Sequence, residues 1–222
     1  MHGFNLSSTS TKLPDATVFA DVLGPECKLT FDDKAADVHV YRLPDLWLPM
    51  GEIVAADGFI MQRQSFTRQV KPGRYAVTIA SAGFASDERI AFAQIRFSDR
   101  PVVRWEMALV GGQDVSMLQP GYFFGYPVDS GTGCFADPRA VELINEANDP
   151  EMEFFNEVSG EMDKVYRHTR SWVHIETPKG SAVLFSSGFG DGMYPSYFGL
   201  DQAMEPVALV TDFCVSNWLR PE

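Results

Sequence analysis

Tyr75-Ala76-Val77-Thr78-Ile79-Ala80 decides the fold class of this chain. Bulky Tyr75, Val77 and Ile79 alternate with smaller Ala76, Thr78 and Ala80, the period of two that a half-buried strand requires. The turn pair Pro72-Gly73 precedes the run. After a predicted loop from Gly83 to Glu88, Arg89 to Phe97 repeats the pattern, with Ala91, Ala93, Ile95 and Phe97 on one face. Ser98-Asp99-Arg100-Pro101 turns the chain again, and Val103, Trp105, Met107 and Leu109 then alternate with Arg104 and Glu106. Three period-two runs separated by turn signals predict an antiparallel meander.

Upstream, Lys28 to Phe31 and Val38 to Tyr41 are short β-type runs. Leu43-Pro44-Asp45-Leu46-Trp47-Leu48-Pro49 is broken by proline and suits an edge or a crossing better than a central strand. Gly51 to Ala56 reads as a short buried strand that ends in the turn pair Asp57-Gly58. Residues 1–16, rich in Ser and Thr, read as an N-terminal arm, with one β-rich domain over 17–222.

Downstream the pattern changes period. Asp137-Pro138 places a side-chain acceptor before a proline at the first helical position, a helix start. Val141, Ile144 and Ala147 follow on one face. Asp149-Pro150 repeats the signal before Phe154, Phe155, Val158 and Met162, so two helices are expected within 137–168, with Gly160 a weak point in the second. The acidic residues of this region read as a solvated face. Strands resume at Trp172 to Thr177, Ala182 to Ser186 and Val207 to Val215, the last apolar on both sides. The expected fold is mainly β (α+β by content), an antiparallel sandwich or curved sheet with a two-helix insertion.

Composition narrows the partners. Hydrophobic residues make up 45% of 222 residues, which suits a globular core, and the formal net charge is −12. That balance argues against a nucleic-acid backbone or an anionic membrane surface as partner. No window approaches the length of a membrane-spanning helix, and the first residues lack a basic segment followed by an apolar run. Cys27, Cys134 and Cys214 are scattered and odd in number, which suits a reducing, cytoplasmic setting.

The candidate site lies in two loops that share Ser-Gly-x-Gly beside an aspartate. One runs Tyr126-Pro127-Val128-Asp129-Ser130-Gly131-Thr132-Gly133-Cys134. The other runs Ser186-Ser187-Gly188-Phe189-Gly190-Asp191-Gly192-Met193-Tyr194-Pro195-Ser196-Tyr197 and continues to Asp201. Asp129, Ser130, Thr132, Ser187, Asp191, Tyr194, Tyr197, Asp201 and Asp212 are the ligand-binding candidates. Asp212, set in an apolar strand, needs a donor cluster or a cation if it is buried. Carboxylates with hydroxyls and carbonyls are hard-ion ligands, so Asp129, Asp191, Asp201 and Asp212 would suit Ca²⁺ or Mg²⁺. The competing expectation is that these aspartates only hold turns together. His39, His168 and His174 show no zinc-binding spacing, no Gly-x-Ser-x-Gly elbow is present, and neither loop matches a nucleotide-binding glycine pattern. Cys134 reads as a small buried thiol rather than a nucleophile.

These residues also carry a resemblance. Gly73 to Tyr75, Asp87-Glu88-Arg89, Phe97-Ser98-Asp99, Pro101 and Trp105-Glu106 resemble a bacterial family of uncharacterised proteins, domain-of-unknown-function family 4241. Val128 to Phe135 with Asp137 is similar to its most distinctive motif. Ser186 to Gly192 with Tyr194-Pro195-Ser196-Tyr197, and Leu209 to Phe213, are similar to its closing motifs. The resemblance spans roughly residues 45–216, with Phe189 and Phe198 where tryptophan is expected to be common. It implies a shared β-rich fold and a shared polar site, and no activity. Three functional expectations follow: a module binding a small molecule or a partner protein through the loops around Asp129 and Asp191, a divalent-metal-assisted hydrolase using the same aspartates, or a structural domain.

Overall fold

The computed structural model describes residues 28–31, 34–84, 87–119, 121–147 and 153–215. The N-terminal arm, Cys27 and the Asp149-Pro150 helix start lie outside the described residues. The strands are β1 (Lys28–Phe31), β2 (Lys34–Leu48), β3 (Val54–Asp57), β4 (Gly73–Phe84), β5 (Asp87–Arg96), β6 (Arg104–Met107), β7 (Tyr126–Val128), β8 (Thr132–Ala136), β9 (Trp172–Thr177), β10 (Gly180–Ser186), β11 (Gly192–Tyr194), β12 (Ser196–Leu200) and β13 (Pro206–Asp212). Two helices, α1 (Pro138–Ala147) and α2 (Glu153–Lys164), separate β8 from β9. The fold is mainly β, as expected, with antiparallel strands in three sheets and two helices between strands.

The seven-stranded sheet runs β1-β2-β4-β5-β13-β12-β6. Here the expected meander is corrected. β4 and β5 do pair, but β6 sits at the far edge against β12, with Gly199 opposite Trp105, and β13 lies against β5, with Leu209 opposite Ile95. The reason is burial. Val207, Ala208, Leu209 and Val210 are all fully buried. A strand apolar on both sides belongs inside a sheet, whereas Arg104 and Glu106 suit an edge.

Two smaller expectations also change. β4 and β5 pair through Phe84 and Asp87, so they take in most of the predicted loop. Pro44 lies within β2 and does not break it. The register with β4 jumps from Leu43 opposite Val77 to Leu46 opposite Tyr75, so Pro44 and Asp45 bulge out of the ladder. Among the described residues β1 covers β2 only at residues 34–37, so Pro44 lies on an edge stretch, as expected, where its missing N–H removes no bond on that side.

In the second sheet, β3-β8-β10-β9, the strands β3, β8 and β10 are buried on both faces, and period-two alternation explains how. Ala55, Phe135, Val183 and Phe185 face the seven-stranded sheet and join its core. Val54, Ala56, Cys134, Ala136, Ala182 and Leu184 turn the other way, onto Val141 and Ile144 of α1 and Val158 of α2. The molecule is therefore layered as sheet, sheet and helices. β7 and β11 form a separate two-stranded ribbon.

The helices start and bury as their sequence dictates. The Asp137 carboxylate accepts from the Arg139 backbone N–H at 2.8 Å and caps α1. α2 turns Val158 and Met162 inward and leaves Glu153, Glu157, Glu161 and Asp163 exposed. A methyl group at Gly160 would meet nothing within 4 Å. Gly160→Ala is therefore expected to stabilise the protein by about 1 kcal/mol, read as a higher midpoint in urea. An unchanged or lower midpoint would contradict this account of α2. Among the described residues no helix is long and apolar enough to cross a membrane.

Candidate functional site

The two glycine loops meet because their flanking strands are paired. β8 and β10 lie side by side with Thr132 opposite Ser186, and β7 and β11 with Val128 opposite Gly192. Loop 129–131 thus lies against loop 187–191. The Ser187 N–H donates to the Gly131 carbonyl at 3.0 Å, and the Gly131 N–H donates to Asp191 Oδ1 at 3.1 Å. Within the second loop, Ser187 Oγ donates to the Gly190 carbonyl at 2.9 Å, and the Tyr194 hydroxyl donates to the same carbonyl at 2.7 Å.

The buried acid of this assembly is one that the sequence marked only as a turn residue. Asp57, at the end of β3, is 5% exposed. Its Oδ1 accepts from the N–H groups of Phe59 and Ile60 and from Ser130 Oγ, at 2.8, 2.9 and 2.8 Å. Its Oδ2 accepts from the N–H groups of Asp129 and Ser130, both at 2.8 Å. Burial alone would raise the Asp57 pKa, but these donors outweigh it and hold the carboxyl below its ordinary value. Asp-Gly followed by Phe-Ile signalled the local half of this clamp. Nothing near position 57 signalled the half that reaches loop 129–131.

Asp129 and Asp191 are brought together at the surface, both exposed. Asp201 is not with them. It lies past the other end of β12, where Oδ1 accepts from the N–H groups of Ala203 and Glu205 at 2.9 Å and Oδ2 pairs with Arg100. Five residues at about 3.3 Å each separate that end of β12 from the glycine loops. Asp212 is fully buried and accepts from the Cys214 N–H at 2.8 Å. The four aspartates therefore do not make one ligand set. Among the described residues no three His, Cys, Asp or Glu side chains gather in a way that could hold a metal ion.

Tyr197 is a buried residue of β12 in the main core, and burial pushes its hydroxyl well above the ordinary range. Tyr194 is also buried, with its pKa pushed up to about 12 by burial first. Cys134 is buried in β8, and burial raises its thiol to about 12, so it stays protonated and inert near neutral pH.

The joined loops separate two hollows. On one side, Asp129 and Tyr194 line a cavity of about 180 Å³. On the other, Thr132, Ser187 and the three loop glycines line an open groove of about 380 Å³ that α2 and residues 169–171 complete. The sequence reading did not single out several further polar residues of the groove, among them Ser159, Thr169, Ser171, Ser186 and Arg89. They sit on four separate elements, and no local pattern links them.

Most of the groove's hydroxyl hydrogens are already used. Ser186 Oγ and Ser171 Oγ share a bond of 3.2 Å, and Thr169 Oγ1 donates to the Glu88 carbonyl at 2.8 Å. That last bond holds Thr169 at φ +68°, a strained conformation for a β-branched residue. Behind it, Glu88 is buried, taking the Tyr41 hydroxyl at 2.8 Å and pairing with Arg170 at 3.3 Å. Arg170 in turn lies over the Tyr41 ring at 3.9 Å. Burial opposes the Glu88 charge, but the Ser81 and Tyr41 donors and Arg170 outweigh it, so its pKa is lowered. Arg89, the cation in the groove, is bound to Asp87 at 2.7 Å and lies over Phe189 at 5.3 Å.

A protein-family model described as a protein of unknown function (DUF4241) matches residues 46–211. No curated protein matches the chain, and no solved structure does.

Proposed function

The chain belongs to the DUF4241 family of proteins of unknown function, and from that premise we propose that it is a binding module that takes a small, neutral, polyhydroxylated ligand into the groove beside its glycine loops. The observation that carries this reading is the lining: a groove of about 380 Å³ bordered by six Ser and Thr residues and three loop glycines. Hydroxyls whose hydrogens are committed inward still offer acceptor lone pairs, which suit ligand O–H groups. The Thr132 and Ser159 hydroxyls make no hydrogen bond among the described residues, so they are left to donate or accept.

Charge supports a neutral ligand. Arg89 is neutralised by Asp87, and Asp163 lines the same groove, so among the described residues a phosphate would meet no unopposed cation. Tyr166 in the lining and Phe189 on the adjoining loop are 58% and 51% exposed, and they offer apolar rings to the C–H face of a sugar.

Calorimetric titration with neutral mono- and disaccharides, beside their phosphorylated counterparts, tests the reading. A saturable signal with a neutral sugar is expected, weakened about fivefold by Thr132→Val and by Ser159→Ala, the value of one hydrogen bond each. Tighter binding of sugar phosphates, or no signal with any neutral sugar, would overturn it.

A further inference from the structure

The cavity on the opposite side of the joined loops has a different chemistry. Four aromatic residues, Phe66, Phe124, Tyr126 and Tyr194, and two acidic residues, Asp57 and Asp129, are among those that line it. Among the described residues no Lys, Arg or His lines it, and the remaining polar lining is amide and hydroxyl. Asp57 has its oxygens engaged by five donors, so its charge is fixed in place. Asp129 is exposed, and its side chain makes no hydrogen bond or ion pair among the described residues.

Ring faces carry negative potential and attract a cation lying within about 6 Å of their centroids. Aromatic walls with two carboxylates and no basic side chain therefore favour a positively charged ligand that also has apolar surface to bury. A bare metal ion would instead want several charged ligands, and among the described residues no group of three His, Cys, Asp or Glu side chains that could hold one is found. At about 180 Å³ the cavity has room for a methylated ammonium group rather than for a large cofactor. The formal net charge of −12 adds a long-range attraction for cations.

We propose that this cavity is a second ligand site, specific for an organic ammonium cation and independent of the groove. The aromatic rings hold the methyl groups, and Asp129 supplies the counter-charge at the wall. The cation is either a free small molecule or the methylated lysine of a partner chain, and both present the same trimethylammonium group.

The probes are choline, its neutral isostere 3,3-dimethylbutan-1-ol, and a short peptide carrying trimethyllysine, titrated into the full chain by calorimetry. Choline or the peptide is expected to bind saturably, and the neutral isostere is expected to bind at least tenfold more weakly. The tighter of the first two probes identifies the source. Asp129→Asn and Phe124→Leu are each expected to weaken binding about tenfold. Asp129→Asn removes charge from an exposed side chain without a structural bond, so its thermal midpoint should match that of the unsubstituted chain. Thr132→Val, on the groove side, should leave cation binding unchanged, which separates failure here from failure of the groove reading. Equal binding of the neutral isostere, an Asp129→Asn variant that binds normally, or no binding by either cationic probe would overturn the proposal.

Discussion

Asp57→Ala is expected to destabilise the protein by about 3 kcal/mol, measured as a lower urea midpoint at pH 7 with an unchanged slope. One side chain accepts five hydrogen bonds, two from its own turn and three from residues 129 and 130. Alanine would leave all five donors without this acceptor, in bonds that are partly buried. Asp57→Asn separates charge from shape. Its amide nitrogen would face either the donors at Oδ1 or those at Oδ2, so it should lose about 2 kcal/mol. An alanine variant with a midpoint equal to that of the unsubstituted chain would show that the clamp does not hold the loop.

The same carboxylate predicts a pH dependence. Its folded-state pKa is lowered relative to the unfolded chain, so the folded state favours the ionised form. That stabilisation is fully present above the ordinary carboxylate pKa and is lost as pH falls toward the lowered folded value. Asp57→Ala should therefore lose less stability between pH 5 and the acid limb than the unsubstituted chain does. Glu88, lowered through Ser81, Tyr41 and Arg170, acts in the same direction, so the variant should flatten the acid limb without abolishing it.

The second large effect is expected at Gly188. Its φ is +45°, and a methyl group there would stand 2.8 Å from the Phe213 carbonyl oxygen and 3.0 Å from Phe213 Cβ. The backbone oxygen cannot rotate away as a side chain could. Gly188→Ala is therefore expected to cost about 3 kcal/mol, measured as a lowered thermal midpoint, and to disturb the groove wall. Gly131→Ala is the matched comparison. Its φ of +65° is also left-handed, but its methyl would meet only Gly190 Cα, at 3.7 Å. It should cost about 1 kcal/mol, the backbone preference without the clash. Equal losses at both positions would remove the close approach to Phe213 as the cause.

How far the site could be read in advance differs from residue to residue. That the Asp129 and Asp191 loops meet rests on β8 beside β10 and β7 beside β11, and the shared Ser-Gly-x-Gly pattern pointed at both loops. Asp201 shows where such a pattern misleads: it follows Tyr197 closely in the chain, yet β12 carries it away to a turn that it caps itself. Asp57 shows the opposite case. A carboxylate that accepts from the N–H groups two and three residues on is legible locally, but its other partners lie 72 and 73 residues away.

Local chemistry alone determined the alternating strands, the proline-led first helix capped by Asp137, and the mainly β class with helices between strands. Those features depend on spacings of two to four residues, which the chain displays without knowing its neighbours. Only the tertiary structure decided that β13 and β12 separate β5 from β6, and that one acid from β3 ties down a glycine loop. It also decided that two hollows of different chemistry share that loop as a wall. Those outcomes depend on which buried faces find each other across the whole molecule, and pairing between distant segments leaves no mark within either one.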